Sequence, residues 1–129
     1  MDSILKEVRH AVVGFDEDDS FDSNLILYIN GALMVLNQIG VGPDTPFQIT
    51  GEDETWADFL GDDLDKLGLV KPYVIRKVTY AFDTPSSTSR TDALVALIAE
   101  DEWRLNVAVD PTEDEITELR MEMEERMSR

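Results

Sequence analysis

The sequence predicts an all-α protein, a small bundle of four to five helices with a long loop and a C-terminal helical tail. Three observations predict it. Apolar residues recur at helical spacing along most of the 129-residue chain. Gly, Pro and Ser/Thr clusters separate these stretches at places suited to caps and turns. Residues 69–107 read as a helix, a tight Pro/Ser turn and a second helix, and the rest of the chain is organised around them. That second helix, from near Arg90, is apolar on two faces. At about 100° per residue, Leu94, Leu97, Ile98 and Leu105 share one side, and Ala96, Ala99, Trp103 and Val107 nearly the opposite one. A surface helix of a small domain needs one apolar stripe. Two stripes mean two covers, and in so short a chain one cover is expected to be another subunit.

Composition bounds the function. The length suits one domain with a modest core. We divide it into a helical domain, residues 1–110, and a charged tail helix, residues 111–129. The chain has no cysteine, so disulfide and thiolate chemistry are excluded. No basic and apolar signal opens it, so no secretion is expected. Net charge is −17, from 28 acids and 11 bases. Binding to DNA phosphates needs clustered Lys and Arg, so direct nucleic-acid binding is not expected. Such a charge serves solubility, or a protein that must not stick to DNA passing nearby.

Taken in order, residues 2–13 form a short helix, capped by Asp2 or Ser3, with Ile4, Leu5, Val8 and Val12 inward. Residues 15–22, FDEDDSFD, are acidic but are no calcium loop: Phe21 stands where glycine is needed and Leu27 where the closing glutamate is needed. They read as a solvated turn, with Asp22 or Ser23 capping the next helix, residues 23–39. No charge occurs between Asp22 and Asp44, but Asn30, Gly31, Asn37 and Gln38 interrupt the run, which favours a buried helix over a membrane span. Leu25, Ile29, Leu33 and Leu36 make its main stripe, with Leu27 and Met34 on another face, and Gly40 stops it.

Residues 40–54 form a long Gly/Pro loop. It is either a functional loop contacting a partner through Pro46, Phe47 and Ile49, or an ordered connection packed by Phe47 and Ile49. Thr55 caps a short helix carrying Trp56, Phe59 and Leu60, and Gly68 ends this piece. The next helix, residues 69–82, tolerates Pro72 in its first turn and packs Val70, Val74, Val78 and Ala81 inward. Its Lys71, Arg76 and Lys77 make it the most basic helix; they are either a solvated face or cations that meet an acidic surface of a neighbouring copy. After Pro111 the character changes. Thr112 and Glu115 fit a capping box, and Ile116, Leu119, Met123 and Met127 form one narrow stripe on a charged helix.

No active site is legible. His10 is alone, no Gly-rich phosphate loop occurs, and no cluster has metal-ligand spacing. The Ser/Thr run at 86–89 has no visible base, and Glu100 and Glu102 read as solvated helix charges. Neither an enzyme nor a cofactor is expected.

Four stretches in this order carry a family resemblance: ILYINGALMVLNQIGVG (26–42), TWADFL (55–60), VKPYVIRKVTYAFDTPSS (70–87) and IAEDEWRLN (98–106). Together they resemble the head–tail connector, or adaptor, proteins of tailed double-stranded-DNA phages, over about residues 3–108. Thr84 departs from the pattern, where a second proline is often found. The resemblance implies a structural virion protein of the neck, made in the host cytoplasm. It implies a homo-oligomeric ring beneath the portal protein, usually of twelve copies, that extends the DNA channel. A stopper or head-closure protein docks on the distal side, and DNA passes without specific binding. A head-to-tail ring buries two different faces of each subunit, which suits helices with two apolar sides. On this reading Trp103, Ala96, Ala99, Val107, Arg76 and Lys77 serve the subunit interface. Pro46, Phe47 and Ile49 meet the neck partner, and the tail stripe orders against the portal or an adjacent subunit. The alternative from another class is an acidic DNA mimic that blocks a host DNA-binding protein. The charge permits it; apolar faces oppose it.

Overall fold

The computed structural model describes residues 3–15, 17–82, 88–109, 121 and 123–125. The architecture is all-α: α1 (Ile4–Val12), α2 (Asp22–Ile39), α3 (Trp56–Leu60), a 3₁₀ turn (Gly61–Lys66), α4 (Leu67–Phe82) and α5 (Thr88–Val109). Helix α4 is the hub. It packs against α1, α2 and α5, whereas α2 and α5 touch each other only slightly. Leu25, Ile29, Leu33, Leu36, Tyr73, Val74, Val78 and Leu105 sit fully buried where these helices meet.

Each element starts and stops for a local reason. Ser3 caps α1 by accepting from the Lys6 amide at 3.3 Å. Helix α2 begins one residue earlier than the sequence suggests, with no side-chain cap, because the carboxylate of Asp22 is engaged elsewhere: it receives Arg9 at 2.6 and 3.0 Å. Gly40, at φ 106°, ends α2; the Gly40 and Val41 amides close on Leu36 O at 3.1 and 2.9 Å, a left-handed helix stop that favours glycine.

The loop at 40–54 is an ordered connection. Asn37 holds Pro43 O at 2.9 Å, and Asn30 both accepts from the Ile49 amide at 2.7 Å and donates to Ile49 O at 3.1 Å. Phe47 meets Phe59 edge to face at 5.4 Å. Gly42, at φ 90°, lies so close that a Cβ there would stand 2.7 Å from the Phe59 ring. Thr55 and Asp58 form a reciprocal capping box at 3.0 Å each way, which starts α3.

Three expectations about α4 are corrected. Gly68 does not stop the preceding piece; the 3₁₀ turn runs straight into α4, so Gly68 lies in its first turn and Pro72 in its second. Proline there withholds an amide from the carbonyl four residues back, and that residue is Gly68, at an exposed position. Ala81, in the last turn, is exposed instead of packed inward, while Val70, Val74 and Val78 are fully buried as expected. Helix α5 returns antiparallel along α4. Arg76 Nη1 donates to both carboxylate oxygens of buried Asp101 at 2.6 Å, and the Tyr73 hydroxyl donates to Glu102 at 2.9 Å. Burial and the neighbouring carboxylate push the Tyr73 phenol far above its ordinary range.

Candidate functional site

On α5 the two predicted faces separate cleanly. Leu94, Ile98, Leu105 and Val109 turn towards α4 and the core with Asp101. Ala96, Ala99, Trp103 and Val107 all lie on the exposed side, with Trp103 65% and Val107 50% accessible. Leu97 is corrected: it lies at the edge of the inner face and is 42% exposed. An exposed indole loses little when truncated, so the core-type cost of about 3–5 kcal/mol for an aromatic-to-Ala change applies to Trp56, which is 2% exposed, and not to Trp103. One flank of the outer stripe carries Glu100 and Arg104, paired at 2.5 Å, which cancel each other's charge.

The other candidate residues fall in varied places. Arg76 and Lys77 already have acidic partners within the chain: Asp101 for Arg76, and Glu102, at 3.8 Å, for Lys77. They clasp α4 to α5, a sufficient reason for their positions without any neighbouring copy. In the loop, Pro46 is exposed, Phe47 half-buried and Ile49 2% accessible, so Ile49 serves the core and only the Pro46 end faces outward. In the tail, Met123 is helical and 61% exposed, beside Met121 at 64%. Ile116, Leu119 and Met127 lie outside the described residues.

Sequence reasoning missed the charged clamp around α1. Arg9, 4% exposed, donates from Nε and Nη2 to Asp22 and from Nη2 to Glu52 at 2.7 Å, joining α1, the start of α2 and the loop. The Asp22 hydrogen bond, with help from Glu52, holds its guanidinium well above its ordinary pKa despite burial. Next to it, the Trp56 indole N–H donates to Glu7, which also receives Lys71 at 3.0 Å, and Lys71 lies over the Trp56 ring at 5.9 Å. A signal was present. Arg9 follows Leu5 by four residues and borders the apolar side of α1, where a buried cation requires a carboxylate.

An open groove of about 740 Å³ runs along α1, but its cations Lys6, Arg9 and Lys71 pair with Glu52, Asp22 and Glu7. Among the described residues no group of His and carboxylates is arranged to hold a metal, and no buried side-chain N or O lacks a partner. Among them, too, no helix is long and apolar enough to cross a membrane.

The structure is that of a small helical protein with an exposed apolar stripe on α5. The family described as phage connector protein matches residues 4–112, and the chain belongs to that family. It is thus a connector-type structural protein of the phage virion. No curated protein and no solved structure gives a significant match.

Proposed function

We propose that copies of this chain form a head-to-tail ring beneath the portal, usually of twelve copies. The ring extends the DNA channel towards the tail and offers its distal side to a stopper or head-closure protein. One observation carries the reading: the outer side of α5 exposes Trp103 (65%), Val107, Ala96 and Ala99 together, an apolar stripe that Asp92 and the Glu100–Arg104 pair border, on a chain of net charge −17. Apolar surface of this kind marks an interaction site. The carboxylates that remain outside the contacts repel DNA phosphates, so DNA slides past the ring.

The tail completes the attachment. Burying Ile116, Leu119, Met123 and Met127 gives about 6–12 kcal/mol at most. Ordering some fifteen residues costs about 20 kcal/mol. The helix therefore gains its full stability in a groove of the portal or of an adjacent subunit, rimmed by Lys or Arg.

The test mixes the chain with its portal protein and images the complex. Rings on the portal, lost in Trp103→Glu while circular dichroism keeps the helicity, support the proposal. Normal rings from Trp103→Glu overturn the interface. For the tail, amide exchange over residues 113–127 is expected to slow on portal binding; equal, rapid exchange with and without the portal rejects the docking.

A further inference from the structure

We propose that the outer face of α2 is the surface that receives the α5 stripe of the next copy, with Trp103 seated over Gly31. The inference rests on the ring reading and adds the other half of the contact. A head-to-tail ring joins two different patches, so the Trp103 stripe needs a complement elsewhere on the same chain.

Helix α2 supplies one. Ser23, Asn24, Leu27, Gly31 and Gln38 are exposed and Met34 is half-buried along one side, opposite the buried Leu25, Ile29 and Leu36. None of these outward residues is charged, in a chain that is 30% charged and where no charge occurs between Asp22 and Asp44. A solvated helix face carries charges. Copies of net charge −17 approach each other most easily through faces that have none. Leu27, 67% exposed, is among the most open large apolar side chains of the chain.

Shape agrees with charge. A Cβ at Gly31 would meet nothing within 4 Å, so the α2 face has a notch between Leu27 and Met34. On α5, bulky Trp103 rises beyond the small Ala96 and Ala99. The spacings coincide: residues 24, 27 and 31 on α2 step by three and four, and so do 96, 99 and 103 on α5. Laid parallel, the large residue of one helix meets the small residue of the other: Trp103 over Gly31, Leu27 over Ala99, and Asn24 beside Ala96. Such interdigitation is how helices pack.

The direction follows from the fold. Both α2 and α5 run antiparallel to α4: Phe21 at the start of α2 meets Phe82 at the end of α4, and α5 returns along α4 through the Arg76–Asp101 clasp. A Cβ at Gly40, after α2, would stand 4.0 Å from Val109, at the end of α5. Within one subunit α2 and α5 therefore run the same way. Neighbours in a ring differ by a small rotation, about 30° for twelve copies, which keeps α5 of one copy parallel to α2 of the next.

The chain has no cysteine, so introduced thiols report the contact directly. Asn24→Cys and Ala96→Cys together in one full-length chain, assembled on the portal and mildly oxidised, are expected to give a ladder of cross-linked multimers on a denaturing gel. Each single variant should stay monomeric on that gel. A second variant, Gly31→Leu, fills the notch at an open helical position; its melting temperature should hold or rise while ring formation is lost. Rings seen by microscopy without the ladder overturn the α2 assignment and leave the ring reading standing. Dimers from Ala96→Cys alone show an α5–α5 contact and overturn it. A ladder from Ala96→Cys with Gln38→Cys, and none with Asn24→Cys, shows the antiparallel arrangement and overturns it as well. Failure of the unsubstituted chain to form rings rejects the ring reading itself.

Discussion

The two tryptophans of this chain sit in opposite circumstances. Trp56 is 2% exposed, its indole N–H bound to Glu7 and its ring under Lys71; Trp103 is 65% exposed on the outer side of α5. Both follow helix-compatible patterns, and each has an acidic residue within two positions on its N-terminal side. What differs is the company each helix brings. Helix α3 is short and pinned between α1 and the loop, so its aromatic residues are covered from several directions. Helix α5 has α4 on one side and solvent on the other. One region has finished its packing within the chain; the other presents what a single subunit cannot bury. On the proposed reading, stability resides in the first and assembly in the second.

Substitutions can break that division. The largest expected loss is at Trp56: Trp56→Ala should cost about 3–5 kcal/mol in denaturant melts of the free protein. Arg9→Met comes next, at about 3 kcal/mol, the low end for a broken buried ion pair because Asp22 and Glu52 keep some contact with water. Tyr73→Phe should cost about 1–2 kcal/mol, since it strips Glu102 of one donor and leaves Lys77 nearby. Trp103→Ala should move the melting of the free subunit by no more than about 0.5 kcal/mol while ring formation fails. A loss of several kcal/mol at Trp103 would erase the contrast between the two residues.

The smallest effect is a matter of pH. Glu54 is held below its ordinary carboxylate range, first by the Thr50 hydroxyl, which donates at 2.8 Å, and then by backbone amides. A depressed carboxylate contributes stability above its unfolded range, and that contribution disappears as pH falls through the folded value. The melting temperature of the natural chain should therefore exceed that of Glu54→Gln at neutral pH, and the difference should close in acid. A difference that persists in acid would contradict the assignment.

Much of the fold was legible because periodicity reports it. The α2 stripe Leu25, Ile29, Leu33 and Leu36, the stop at Gly40, the Thr55 cap and the two faces of α5 follow from spacing and local chemistry, and all are present. Boundaries slipped where a tertiary contact overrode a local preference. Asp22 reads as a cap, but the nearby Arg9 competes for its carboxylate more strongly than an amide does. Gly68 reads as a stop, but nothing forces a left-handed turn there. The basic residues of α4 were visible, but their partners on α5 follow only from how the two helices are set against each other. Exposure of Trp103 was legible in kind, as a second apolar face, and so was a second face of α2 with Leu27 and Met34; the open space at Gly31 between them needed the coordinates.

The loop between α2 and α3 also sets where the chain can change length. Surface connections usually absorb insertions and deletions. Here Asn30 stands in for a neighbouring β-strand, reading both the amide and the carbonyl of Ile49, and Glu54 gathers the Thr50 and Gly51 amides. One residue added between Gly51 and Glu54 would shift the Thr50 and Gly51 amides against the Glu54 carboxylate that receives them. The exposed stretch Asp44, Thr45 and Pro46 lies between the Pro43 and Ile49 anchor points. An added residue there would bulge into solvent and leave both anchors in place. Within a connection of fifteen residues, one segment is thus as intolerant of a change in length as a helix, and the other is as free as a tail.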